Sequence, residues 1–294
     1  MSLTRLADVQ AQVQKYWSSL FLEELKESSI IVHLLNKDFS GSIKKGGNEV
    51  QVTQIIRPSG STKTIGVGDY DTYSSEKLQK KEISIKADKI FETGYEFDSL
   101  VEIQSQLGDQ DSKIRSAMRE AIDEQINSYI YSLISCANKQ GSVADYNASQ
   151  IINNRVFAGQ KKWRKDGEWY NLVDSAYYGN LLSAQTLTSA DYVGPETPMI
   201  AGQIMNKRAG FNIMEDNSSG MASLPKKAGG AGVDQCSLAF HRDFLHLVLQ
   251  GEAEFKVSDL HAMKRRGYFI SCELIGGAAK GHDHDNLHRV VYND

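Results

Sequence analysis

Between residues 83 and 97 the apolar side chains keep one parity. Ile83, Ile85, Ala87, Phe91, Thr93, Tyr95 and Phe97 are all odd-numbered, with Lys89 the clear break. Strand side chains alternate between faces, so the pattern predicts one strand with one buried face. At about 3.3 Å per residue it would run roughly 50 Å, far beyond an ordinary strand. A strand that long cannot stay inside one compact domain. Upstream, EVQVTQIIRP places Val50, Val52 and Ile56 on one parity and predicts a second strand that Pro58 ends. Residues 59–79, SGSTKTIGVGDYDTYSSEKLQ, join the two and are rich in Ser, Thr, Gly and Asp. A connection that long, with so few core residues, is expected to be functional or mobile. The two strands together predict a two-stranded arm carrying the connection as its tip. The alternative is two ordinary strands with a loose connection. An isolated hairpin is marginal in water, so an arm of this kind expects a partner surface.

Residues 112–138 carry the longest unbroken helical pattern, with no Gly or Pro inside it. Asp109 and Asp111 are candidate N-caps, and Gly141 is a candidate stop. Ile114, Ala117, Met118 and Ala121 begin an apolar stripe; Ile126, Ile130, Leu133, Ile134 and Ala137 continue it, rotated about the axis. Periodicity alone reads this as a core helix that crosses more than one neighbour.

The totals narrow the class. The chain of 294 residues carries a net charge of −4 and is 40% hydrophobic, as expected of one large or two modest folded domains. No apolar run reaches the roughly 18 residues of a membrane span, and the N-terminus lacks the layout of a signal peptide. Cys136, Cys236 and Cys272 are far apart and fit no zinc spacing, so reduced thiols in a cytosolic product are expected. Mild acidity carries no global nucleic-acid signal.

The remaining segments mix strand and helix without βαβ regularity, which makes the class α+β. Residues 3–25 read as an amphipathic helix, either packed on its own domain or reaching a neighbouring subunit. Residues 148–165 read as a helix with a basic end: Lys161, Lys162, Arg164 and Lys165. EWYNLV, GFNIMED and QCSLAF read as strands, residues 176–184 as a short helix and residues 241–250 as a helix. Residues 218–234 read as a Gly-rich exposed loop. GYFISCELIG and LHRVVYND suggest a closing antiparallel pair.

No catalytic motif is present. GGAAKG lacks the ending of a phosphate-binding loop, GVGDYD is not GxGxxG, and neither GxSxG nor HExxH occurs. His282, His284 and His288 in GHDHDNLH would share a face in a strand and could then bind a metal. A polar turn between terminal strands explains them equally well. Accordingly no catalytic, cofactor-binding or metal-binding residue is assigned. Basic pairs at Lys44-Lys45, Lys161-Lys162, Lys226-Lys227 and Lys264-Arg265-Arg266 are scattered and read as solvated faces, or as a non-specific lining for nucleic acid.

The order of arm, long two-stranded loop, long helix and mixed domain resembles the major capsid protein of tailed bacteriophages, the Hong Kong 97-like fold. KRAGFNIMEDNSS, LAFHRDFLHLVLQ and GYFISCELIGGAAKG resemble local phrases of that family. The resemblance implies an N-terminal arm at 1–40 and an extended loop at 41–98. It places a peripheral domain with the spine helix at 99–147, an axial domain at 148–255, and strands returning to the peripheral domain at 256–294. It implies a non-enzymatic subunit that self-assembles, through hexamers and pentamers, into an icosahedral shell around phage DNA. Its implied location is the virion capsid, after synthesis in the host bacterial cytoplasm. Implied partners are a portal protein, in some members a cement protein, and packaged double-stranded DNA held by weak non-specific contact; no membrane is involved. Because the fold-like pattern starts within a few residues of Met1, there is no room for a built-in scaffolding propeptide, so a separate scaffolding protein is expected. Some members crosslink through a Lys–Asn bond; neither Lys63 nor any Asn is assigned that role. The alternatives are an encapsulin-like nanocompartment shell and a metal-binding enzyme using the His282–His288 cluster.

Overall fold

The computed structural model describes residues 30–43, 49–68, 72–73, 75–97, 111–134, 139–142, 146–184, 187, 207–224, 236–263, 265 and 267–292. The helix expected at 3–25, Cys136, and the pairs Lys44-Lys45 and Lys226-Lys227 lie outside them.

Strands β1 (Glu49–Ile55) and β2 (Lys80–Lys86) pair antiparallel from Glu49↔Lys86 to Ile55↔Lys80, forming the arm. The single strand expected over 83–97 is two. It stops at Lys86 and restarts as β3 (Lys89–Phe97), which belongs to another sheet. The parity break at Lys89 marks the place: the chain turns between sheets there, and Ile85 and Phe91 enter different clusters.

Helix α1 (Ile30–Leu34) and the short α2 (Ser40–Ile43) precede the arm. Helix α3 (Asp111–Ser132) lies close to the length its pattern predicts, and Gly141 falls inside β4 (Lys139–Ser142). The buried residues of α3 are Met118, Ile122, Ile126 and Ile130 at i,i+4 spacing, with Asn127 and Tyr131 beside them, and Ile134 just past its end. Ala117 is exposed and Ile122, absent from the expected stripe, is buried.

Helix α4 (Ala148–Gln160) starts where the Asn147 side chain accepts from the Ser149 N–H. Asp174 caps α5 (Ser175–Ser183) through the Ala176 N–H. Ser218 caps α6 (Ser219–Ala222), a turn of helix inside the stretch read as loop. The strands β5 (Trp169–Val173), β6 (Asn212–Glu215) and β7 (Cys236–His241) occupy the places expected of them.

The helix expected over 241–250 is a strand. After a 3-10 turn at Arg242–Phe244 the chain enters β8 (Leu245–Asp259), which pairs along β9 (Tyr268–Lys280). Phe244, Leu245 and Val248 mimic helical spacing, but Leu247 and His246 are buried too. A segment buried on both faces loses its period, and tertiary pairing decides it. The terminal strands do not pair with each other: β9 joins β3 and β8, whereas β10 (His288–Tyr292) joins β4 and β7. LAFHRDFLHLVLQ is therefore strand, corner, strand, and the 255/256 seam expected between domains falls inside β8.

Among the described residues the sheets are β1-β2, β3-β9-β8 and β4-β10-β7-β5-β6. One core joins α1, α3 and the three-stranded sheet to one face of the five-stranded sheet through Leu172, Leu238, Phe240 and Val290. The other face, through Val173, Ala239 and Val291, meets α4 and α5 in a second core with Trp163, Trp169 and Phe211. Adjacent residues of one strand thus enter different cores, which is why β7 is buried at every position.

Candidate functional site

The arm is left mostly uncovered by the other described residues. Along β1 and β2 only Ile85 is fully buried, and the tip beyond them is exposed throughout its described residues. Ile65 is 88% exposed and Val67 69%, with Ile55, Tyr73 and Leu78 also in solvent. Isolated exposed apolar residues are ordinary, but several on one thin projection mark an interaction surface. The tip has local order of its own. The Ile56 N–H donates to the Gln79 carbonyl at 2.9 Å. The Ser59 hydroxyl and its N–H both donate to Glu76, the latter at 3.1 Å; these bonds hold the Glu76 carboxyl below its usual range. Lys63 donates to the Thr72 carbonyl and to its hydroxyl at 3.1 Å. Gly66 and Gly68, at φ 83 and 64, make the turn that other residues resist.

The root of the arm is fixed. Ile85 and Val248 form a small cluster with Phe39, Val50, Val52 and Ala279 around them. There β2 crosses the outer face of the three-stranded sheet so closely that a Cβ on Gly277 would lie 1.9 Å from the Lys86 carbonyl oxygen. Lys81 also donates to the His282 carbonyl at 2.5 Å. The arm is therefore a free tip on an anchored base.

The histidines do not share a strand face. His284 opens a 3-10 turn, His284–Asn286, and His288 begins β10. His284 Nδ1 sits 2.8 Å from the Phe244 carbonyl, and His288 Nδ1 2.7 Å from the His284 carbonyl. Carbonyls accept, so in both rings Nδ1 is the donor. The two rings are 4.6 Å apart, and His284 stacks on Phe244 at 5.7 Å. Burial pushes the His284 pKa down to about 4, against the pull of its carbonyl hydrogen bond. These are packing histidines at the corner where the chain passes between sheets. Among the described residues no group of three His, Cys, Asp or Glu side chains is placed to hold a metal ion.

Lys161 and Lys162 end α4 and face a cleft beside the arm root. Arg265 reaches Glu96 at 3.3 Å across the far end of the three-stranded sheet, while Lys264 and Arg266 lie outside the described residues. Cys236 and Cys272 are buried thiols, and the Cys236 thiol donates to the Met221 carbonyl at 3.2 Å.

Sequence reasoning missed two polar anchors. Tyr131 of α3 donates to the fully buried Asp216 carboxylate at 2.5 Å, tying the long helix to the loop before α6. The Tyr146 hydroxyl gathers Asn154, Asn171 and Ser237 at 2.8, 3.1 and 3.0 Å inside the second core. Neither has a local signal, because the partners are far apart in sequence.

No protein-family model matches the chain, and no curated protein matches it by sequence. Solved structures do. A chain from Mycobacterium phage Che8 matches with TM-score 0.71 at 18% identity, over 95% of this chain and 96% of that one. The head structure of Helicobacter pylori bacteriophage KHP40 matches with TM-score 0.73 at 11% identity, over 99% of this chain and 97% of that one. The capsid structure of cyanophage P-SCSP1u matches with TM-score 0.70 at 14% identity, over 97% and 94%. The chain has the fold of phage capsid and head chains over nearly its whole length.

Proposed function

We propose that the chain is the major capsid protein of a tailed bacteriophage, a non-enzymatic subunit that self-assembles into an icosahedral shell around double-stranded DNA. The observation that carries this reading is the arm: an anchored base bearing an exposed apolar tip, in a chain that matches phage capsid and head structures over nearly its whole length. A tip with no core of its own is stabilised by a neighbour, and in a closed shell every subunit has one.

On this reading residues 1–40 are the N-terminal arm and 41–98 the extended loop. Residues 99–147 form a peripheral domain around α3, 148–255 the axial domain, and 256–294 the return. The subunit forms hexamers and pentamers, assembles on a separate scaffolding protein, joins a portal protein, and accepts a cement protein where one exists. It is made in the host cytoplasm and resides in the virion capsid. A nanocompartment shell is not favoured, because the similar structures come from phage capsids and heads. A metal enzyme built on the His282–His288 cluster is not favoured for the same reason.

Deleting residues 59–79 tests the proposal. A folded subunit by circular dichroism that no longer forms shells is expected. Normal closed shells from the deletion variant would remove the arm from the assembly mechanism.

A further inference from the structure

We propose that the cleft beside the arm root binds a phosphate-class anion, held by Lys161, Lys162 and the rings of His246 and His282. The cleft has a volume of about 640 Å³. It opens where Val52, Thr53 and Gln54 of β1, the residues between α1 and α2, the β7–β8 corner, the β9–β10 turn and the end of α4 meet.

Unsatisfied nitrogens give the first observation. His246 is only 7% exposed and lines the cleft, with its ring edge-on to Phe39 at 5.2 Å. Its Nδ1 is buried without a hydrogen-bond partner, and so are both ring nitrogens of His282. Buried polar atoms in native proteins are almost always satisfied, so these nitrogens point to something other than protein.

Charge selects the sign of that partner. Asp243 accepts from Asn36 at 2.9 Å and lies 3.8 Å from Arg164. Asp38 lies 3.4 Å from Arg242. Those carboxylates already have donors. Among the described residues no carboxylate stands within salt-bridge distance of Lys161 or Lys162. Asp283, on the exposed side, is left to hold a cation with two imidazoles, and among the described residues no group of three such ligands is in place. An anion accepts from the imidazoles and from both ammonium groups, in the charge-assisted bonds that phosphate favours.

Lys162 adds a local sign. It follows the C-cap of α4 at φ 58, a position that favours glycine. A lysine there accepts backbone strain and places its charge at the rim of the cleft.

Asp243, Asp38 and His282 face His246 electrostatically. Burial and His282 favour its neutral ring, and the two carboxylates oppose them. A bound anion joins the carboxylates, so anion affinity rises as pH falls through the histidine range. A free phosphate and a phosphate of a nucleic-acid backbone present the same group. The site does not depend on the shell assignment, because its readout is binding rather than assembly.

The test is calorimetric unfolding of the full chain at pH 6 in increasing inorganic phosphate, against chloride at matched ionic strength. The comparison protein is the double variant Lys161→Gln, Lys162→Gly, whose glycine suits the backbone and keeps the fold. Saturable stabilisation of the wild type is expected, with affinity weakened roughly tenfold or more in the variant, the scale of one charge-assisted bond. His246→Gln is expected to remove the rise in affinity below pH 7. A short labelled duplex, followed by fluorescence anisotropy, separates the sources. Displacement by phosphate and loss in the lysine variant identify a backbone phosphate; a duplex that neither binds nor competes identifies a free anion. Equal, unsaturable stabilisation of wild type and variant would show only the general exclusion of phosphate from protein surfaces and would overturn the site.

Discussion

Two isoleucines separate what folds the subunit from what joins subunits. Ile130 of α3 is 0% exposed and belongs to the larger core, whereas Ile65 in the arm tip is 88% exposed. Ile130→Ala removes three carbons, about 2.4 kcal/mol at ~0.8 kcal/mol each. The cavity left in a core that cannot fully collapse adds to this, and the observed range for such changes is roughly 2–5 kcal/mol. For a chain of this size that lowers the melting temperature by about 3–8 °C. Ile65→Ala touches no core and is expected to change stability by less than about 0.5 kcal/mol, yet to impair assembly. Thermal unfolding of unassembled subunits by circular dichroism measures the first effect, and light scattering during assembly the second. An Ile130→Ala subunit as stable as wild type would refute the core position of α3. An Ile65→Ala subunit that assembles normally would refute the role of the tip.

Other outcomes follow from the same contacts. Ile126→Asp, at a position 1% exposed, buries a charge without a partner at several kcal/mol, so insoluble protein is expected on expression and recovery of soluble subunit would contradict the packing. Gly277→Val drives a side chain into the Lys86 carbonyl; faster hydrogen exchange in β1 and β2, with α3 unchanged, is expected by mass spectrometry. The folded-state pKa of His284 is depressed from its ordinary value of 6.5 to about 4. Its contribution to stability is therefore complete above about pH 6.5 and lost as pH falls toward 4. The urea midpoint should drop across that window, and a flat midpoint would show that His284 is not a buried neutral ring. Duplex DNA should bind isolated subunits weakly, indifferent to sequence and falling steeply with salt; tight sequence-selective binding at physiological salt would point to a sequence reader instead.

The sequence carried the arm and the long helix because both announce themselves locally. Val50, Val52, Ile83 and Ile85 alternate over a half-covered ladder, and Met118 to Ile130 repeat at helical spacing over one core. Period failed where both sides of a segment are buried. Residues 245–248 are all buried, so they carry neither period, and the sequence there does not distinguish strand from helix. The expected closing pair does not form because β9 and β10, though adjacent in sequence, serve different sheets. Lys89 did break the parity of residues 83–97, but a single charged residue does not reveal that the chain changes sheet. Sites made by distant segments left no local trace. Tyr131 meets Asp216, Asn36 meets Asp243, and His246 meets His282 only after the chain has folded.

Negative-stain microscopy with size-exclusion chromatography of the purified full chain, beside the variant lacking residues 59–79, tests the central claim most directly. Rings and large closed particles from the full chain, with only small folded species from the variant, are the predicted result. A full chain that remains a small monodisperse species at high concentration and with capsid assembly partners present would contradict it.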